Sequence, residues 1–373
     1  NKALISQEDI YSSNIIEVPN NFSLIENPEE SYSAIRRIVA LALYASYSEI
    51  VIDYAKCSSF TLEAQVLLDL ILKDIFCFYA NCKKRKRFKK YVKKITDRSI
   101  KGSPIRTMLF SVGSLAIHAK KQIEFPHVIP YNLCIHSSEV DTVRQAEKKD
   151  IDTTTLSDYV DLCLEKMGRR LDEIQTDNLC TVIGEILINA EEHSSTKCRY
   201  SIGYFEEETI DGEKHGKFQL VIMNIGMSIY EKFKDVHCPN PTASEKMKEL
   251  SDKYTKRGFW QPKSFEEETL WTLYSLQDGV TSVSPEVYRN RGNGSLRFIE
   301  SFYNLKGNKN HGNTSRMILQ SGKTNIVFDG QYPITETEVK GETYRILTFN
   351  ETGNIEDKPD NEYVKCSSHF FPG

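Results

Sequence analysis

Three polar residues interrupt an otherwise apolar helical pattern between Asn178 and Ser195 (NLCTVIGEILINAEEHSS). Glu185, Asn189 and His193 recur at i, i+4 and i+8, which places a carboxylate, an amide and an imidazole on one narrow stripe of a helix. Leu179, Val182, Ile183, Ile186, Leu187, Ile188 and Ala190 leave nearly every other side apolar. Burying such a stripe without partners costs on the order of 1–3 kcal/mol per unsatisfied group, so it meets either a ligand or water along a solvent-facing edge. Two glycine-containing turns follow. The apolar strand Phe218 to Met223 runs into Asn224-Ile225-Gly226-Met227-Ser228, where an amide and a glycine at a strand end suit close approach by something outside the fold. Arg289-Asn290-Arg291-Gly292-Asn293-Gly294-Ser295 precedes the helical periodicity of Leu296 to Leu305. A glycine-rich turn that opens a helix presents bare N–H groups and a positive dipole end, a cradle for phosphate. Either turn taken alone is weak evidence, since a lone glycine turn is more often just a loop.

Taken in this order and spacing, the three segments resemble the GHKL ATPase superfamily, which groups gyrase, Hsp90, MutL, histidine kinases and anti-sigma-factor kinases. Glu185, Asn189, Ala190 and His193 (E-x-x-x-N-A-x-x-H) look like its N-box. Asn224-Ile225-Gly226 looks like its G1 box and Arg291-Gly292-Asn293-Gly294 like its G2 box. The resemblance covers residues 150–373 and implies a two-layer α/β sandwich that binds Mg-ATP. It further implies that Glu185 is the general base for a nucleophile in line with the γ-phosphate, and that Asn189 is the Mg²⁺ ligand. Gly292, Asn293 and Gly294 would line the phosphates, the glycines through backbone N–H groups, and Asn224 and Gly226 would meet the base. Residues 227–290 would be the ATP lid, with Trp260 and Trp271 as packing anchors. Two positions depart from the pattern: Asn224 stands where the family has an Asp that accepts from the adenine amine, and Ser228 where it often has a second Gly. The Asn224 carbonyl can also accept, but its amide can donate, so the side chain alone does not fix which purine is bound. None of the eight His has the context of a sensor-kinase phosphoacceptor.

The elements around these segments read as α/β. Arg36 to Tyr47 is apolar at near-helical spacing, Glu49 to Asp53 is a β-branched run ending in an acid, and Thr61 to Phe78 has one apolar helical face. This strand, turn and helix look like a STAS-type domain, the fold of anti-sigma-factor antagonists, over residues 18–136. The antagonists' acceptor Ser position is held by Leu62 or Glu63, and Ser58, Ser59 and Thr61 read as helix caps, so the unit is expected to dock or sense. Ser137 to Asp152 is polar without apolar periodicity and is expected to be the linker. A helix capped at Thr153–Thr155 should follow to Arg170. Towards the end, Ser315 to Gln320, Asn325 to Asp329 and Thr343 to Phe349 alternate like short strands, and Phe370-Phe371-Pro372-Gly373 resembles the start of the family's Gly-Thr turn.

Composition excludes fibrous and disordered classes. The 373 residues are 39% hydrophobic and 27% charged with a net charge of −4, so the whole surface offers no general attraction for nucleic acid or anionic membrane. One segment is an exception. Lys83 to Arg98 carries ten Lys or Arg against one acid, with Phe88 and Tyr91 interleaved. That composition fits a nucleic-acid patch, or a solvated helix end docked on the protein's own acidic surface. Nine Cys without paired spacing read as reduced thiols of a cytoplasmic protein, and no apolar run approaches the ~18–20 residues of a membrane helix. The expectation is therefore a cytoplasmic regulator that binds Mg-ATP and hydrolyses it or transfers phosphate to a protein. The alternatives are a nucleotide-gated module for a protein partner, and a nucleic-acid-associated ATPase. The resemblance leaves room for a homodimer.

Overall fold

The computed structural model describes residues 13–100, 105–114, 123–137, 142–192, 194–256, 264–280, 294–306, 315–339 and 341–371. The chain is a mixed α/β protein that divides into two compact units interleaved in sequence. The first comprises Asn1–Ile135, Tyr159–Arg170 and Tyr200–Ile222; the second comprises His136–Asp158, Leu171–Arg199 and Met223–Gly373.

In the first unit, β1 (Ile15–Glu17), β2 (Asn21–Phe22), α1 (Pro28–Tyr44), β3 (Glu49–Asp53), β4 (Ser59–Phe60) and α2 (Leu62–Lys84) follow one another. A 3₁₀ turn (Lys86–Tyr91), β5 (Lys94–Arg98) and α3 (Arg106–Ser111) come next. Strand β3 is central, parallel to β1 on one side and to β5 on the other, with Ile50 opposite Ile95 and Ile52 opposite Ile16. Ile50 and Ile52, at i and i+2, share one face and are both fully buried, while Val51 on the other face is half-buried, so the strand has one fully buried face. Each isoleucine contributes roughly 1.5–3 kcal/mol of transfer free energy. Helix α1 opens on Pro28, where a missing N–H costs nothing, and buries Ile35, Ile38 and Leu41. Helix α2 buries Leu62, Val66, Leu70 and Ile75 and runs six residues past the expected Phe78. Thr61 stands at its N-cap position without a side-chain cap. Its hydroxyl instead donates to Phe22 O and to Glu63, and the free Leu62 N–H donates to Gln219 Oε1 at 3.2 Å.

The strands β6 (Val128–Ser137), β7 (Ser194–Ile210) and β8 (Glu213–Gly226) form a sheet in that order. Between them in sequence lie α4 (Thr142–Lys166) and α5 (Glu173–Glu192). Gly203 on β7 has a reason to be glycine: a Cβ there would lie 2.6 Å from the Tyr159 ring, which packs over the strand.

The polar stretch expected to be a linker is helix from Thr142 onward, and the threonines expected to cap a later start lie inside it. Thr155 donates back to Ile151 O at 2.7 Å, within the helix. Tertiary partners override the weak local pattern here, because Asp152 is buried against Arg199 while Leu156 is fully buried.

The remainder of the second unit comprises α6 (Ile229–Lys234), α7 (Pro241–Thr255), α8 (Glu267–Ser275), α9 (Gly294–Leu305), β9 (Met317–Phe328), β10 (Thr335–Val339), β11 (Glu342–Ile346) and β12 (Val364–Phe371). Where two short strands were expected, β9 is one strand, held antiparallel to β12 by pairs such as Ile326 with Val364. Phe370 and Phe371, expected in a turn, complete β12, and Phe371 pairs with Gly322. Thr343 falls in the β10–β11 hairpin. Among its described residues, the segment expected as a lid contains three helices that share a core with β9: Trp271, Leu270 and Leu273 are buried with Phe233, Met247, Ile326 and Phe328. Trp260 lies outside the described residues. None of the nine cysteines is in a disulfide, and among the described residues no helix is long and apolar enough to cross a membrane.

Candidate functional site

Helix α5 buries Leu179, Val182, Ile183 and Leu187, which leaves Glu185 and Asn189 together on its less buried side. Helix α9 packs against α5 and begins at Gly294. A Cβ on Gly294 would lie 3.0 Å from Glu185 Oε2 and 3.6 Å from Asn189 Nδ2, so the bare backbone at the helix start rests on these two side chains. Only glycine permits that separation without displacing the carboxylate. The first turn of α9 also brings unpaired backbone N–H groups and a positive dipole end.

The two oxygens of Glu185 have different surroundings. Oε1 accepts from Arg297 Nη1 at 3.4 Å, while Oε2 is buried and has no hydrogen-bond partner among the described residues. The Arg297 pair is half exposed and therefore weak. An orphaned buried carboxylate oxygen beside a helix start and an amide is unusual enough to require a functional account.

Of the other expected site residues, Asn224 and Gly226 close strand β8. Between them, Ile225 O accepts from Ser194 Oγ at 3.1 Å. Ser194 opens β7 two positions after α5 ends, so this bond ties the end of β8 to the exit of the helix that carries Glu185 and Asn189. His193, Gly292 and Asn293 lie outside the described residues. Ser228 is fully buried and is the N-cap of α6: its hydroxyl accepts from Glu231 N at 3.2 Å and its N–H donates to Glu231 Oε2 at 2.7 Å. This reciprocal box gives a structural reason for serine at the position.

Two features had no counterpart in sequence reasoning. The first is Lys232 on α6, whose ammonium is pushed down to about 8 by burial, with Glu192 at the end of α5 pulling the other way. The spacing of a lysine in a short polar helix carries no signal for this. The second is a buried ionic cluster behind the last turn of α5. Arg199 on β7 reaches Asp152 Oδ2 at 3.0 Å and Glu191 Oε2 at 3.5 Å, and His136 on β6 lies 3.2 and 3.3 Å from the same two oxygens. Arg199 and His136 are each 1% exposed, so the Arg199 charge is compensated by protein carboxylates and not by water. Burial, then the Arg199 guanidinium, holds the His136 imidazole below its usual range against the pull of Glu191 and Asp152. The cluster fixes the end of α5 to a strand, and with it the direction in which the helix presents Glu185 and Asn189.

Chemically, the site combines a carboxylate, an amide and the N-terminus of a twelve-residue helix. A helix N-terminus attracts anions, and an amide oxygen is a hard ligand suited to Mg²⁺. Comparison with known protein families, curated proteins and solved structures finds no match.

Proposed function

We propose that residues 150–373 form a GHKL-type nucleotide-binding domain that takes Mg-ATP and hydrolyses it or transfers its γ-phosphate to a protein. The observation that carries this reading is the seat of Gly294 on Glu185 and Asn189, residues of the segments that resemble the N-box and the G2 box. Glu185 is the general base, its buried Oε2 aimed at the helix start. Asn189 holds the Mg²⁺, which when bound neutralises phosphate charge. Gly292, Asn293 and Gly294 supply the phosphate cradle, and Asn224 and Gly226 the base end of the site. The STAS-like region over residues 18–136 serves as a docking or sensing module for a protein partner.

A second reading, a nucleotide-gated binding module, draws on the pairing of Glu185 with Arg297, which engages one oxygen of the base in this state. Product analysis with γ-labelled Mg-ATP, run beside Glu185→Ala, separates the two. The expected result is labelled phosphate, free or on protein, from the parent chain only, with nucleotide still bound by the variant. Turnover that survives Glu185→Ala would remove the assigned base. Binding without turnover in either protein would favour the gated module.

A further inference from the structure

The ten cations between Lys83 and Arg98 do not act as one group. Three are engaged inside the first unit. Lys93 is buried and its Nζ donates to Ala42 O at 2.8 Å, Lys94 pairs with Glu49 at 2.9 Å, and Arg98 pairs with Asp53 at 2.6 Å. Lys83, Lys84, Arg85, Lys89 and Lys90 are exposed, and none pairs with a described carboxylate. Docking on the protein's own acidic surface thus accounts for the end of the segment and leaves these five without a described carboxylate partner. The negative C-terminal dipole of α2 favours Lys83 and Lys84 but lies behind Lys89 and Lys90, which sit on the following 3₁₀ turn.

That same turn carries two aromatic rings. Phe88 and Tyr91 are 6.1 Å apart at 33°, Tyr91 is 40% exposed, and Lys90 Nζ lies 5.2 Å from its ring centroid. An exposed ring costs solvation, and here it lies against Lys90, one residue on from Lys89, in a chain whose remaining residues are net acidic. Cations that track phosphates, interleaved with rings on which bases stack, form the recurring surface for single strands. A duplex keeps its bases stacked on one another and could use only the charge.

We infer that the turn joining α2 to β5 is a binding surface for single-stranded nucleic acid, with the five exposed cations on the phosphates and Tyr91, backed by Phe88, stacking on a base. This inference is independent of the nucleotide reading of the second unit.

The test is fluorescence anisotropy of the full chain with a labelled mixed-sequence single strand of ~15 nucleotides, titrated at several salt concentrations. With up to five phosphates engaged, the slope of log K against log salt should lie at about −3 to −4. Lys89→Glu with Lys90→Glu should weaken binding more than about tenfold and flatten the slope by at least ~1. Tyr91→Ala should weaken binding about fivefold or more and leave the slope unchanged, which a purely electrostatic surface would not do. Circular dichroism melts confirm that each variant is folded. No binding at low salt overturns the inference. So does equal affinity for duplex together with indifference to Tyr91→Ala, or a charge-variant effect seen with phosphatidylserine vesicles and not with the oligonucleotide.

Discussion

Glu185 meets Arg297 through one oxygen and the start of α9 through the other, and Gly294 decides how near that second contact is. The contact separates stability from binding. Gly294 is the first residue of its helix, where the interior preference for alanine is not fully realised, so Gly294→Ala alone should change the melting temperature little. The added methyl would stand 3.0 Å from Glu185 Oε2, inside normal contact distance, and force the carboxylate aside. Under the nucleotide reading, Gly294→Ala should weaken ATP binding by about tenfold or more, measured by isothermal titration (1.4 kcal/mol is one decade). Unchanged affinity would mean that this helix start does not face the ligand.

At the scale of elements, α6 illustrates how a departure from a motif can have a local cause. Ser228 lies where the resembled box often has glycine, and it caps a six-residue helix whose next N–H, that of Ile229, donates to Ser321 Oγ at 2.9 Å. Ser228→Ala should lower the unfolding free energy by about 1 kcal/mol, and Ser228→Gly by only a few tenths, measured by denaturant titration. If alanine and glycine behave alike, the capping hydroxyl is not what holds the helix start. Helix α5 is treated differently. Its amphipathic face packs, but its last turn is positioned by ionic contacts from β6 and β7.

Across the whole molecule, the cluster of His136, Asp152, Glu191 and Arg199 links β6, α4, α5 and β7, and it should make stability depend on pH. Lys148 adds to the cations that disfavour a charged imidazole, while the two carboxylates favour it; burial prevails and His136 titrates below 6.5. The unfolded chain therefore binds more protons than the folded one as pH falls below about 6.5, and this contribution to stability is lost progressively with acidification. A His136→Gln variant should show a shallower fall in melting temperature between about pH 7.5 and 5.5 than the parent chain. An equal fall in both would show that the imidazole does not govern this window.

Local periodicity carried much of the first unit and the core of the second. The run Glu49 to Asp53 is the central parallel strand residue for residue, because its β-branched centre Ile50-Val51-Ile52 suits a pleated strand with a buried face. The stripe of Glu185 and Asn189 lies on a helix, as its spacing demands, and α9 begins where the glycine-rich turn meets the apolar repeat. What local spacing does not contain is the partner of each residue. Thr142 to Asp152 is helical because a buried Arg199 waits for Asp152, and nothing in the polar stretch itself indicates this. The meeting of Glu185 with α9, 112 positions away at Arg297, and the sorting of the basic segment into engaged and exposed cations likewise depend on distant backbone. The sequence by itself determined the helices and strands of the apolar-periodic segments, since those preferences act within a few positions. Tertiary structure alone decided which polar groups face one another, since that depends on packing between elements far apart in the chain.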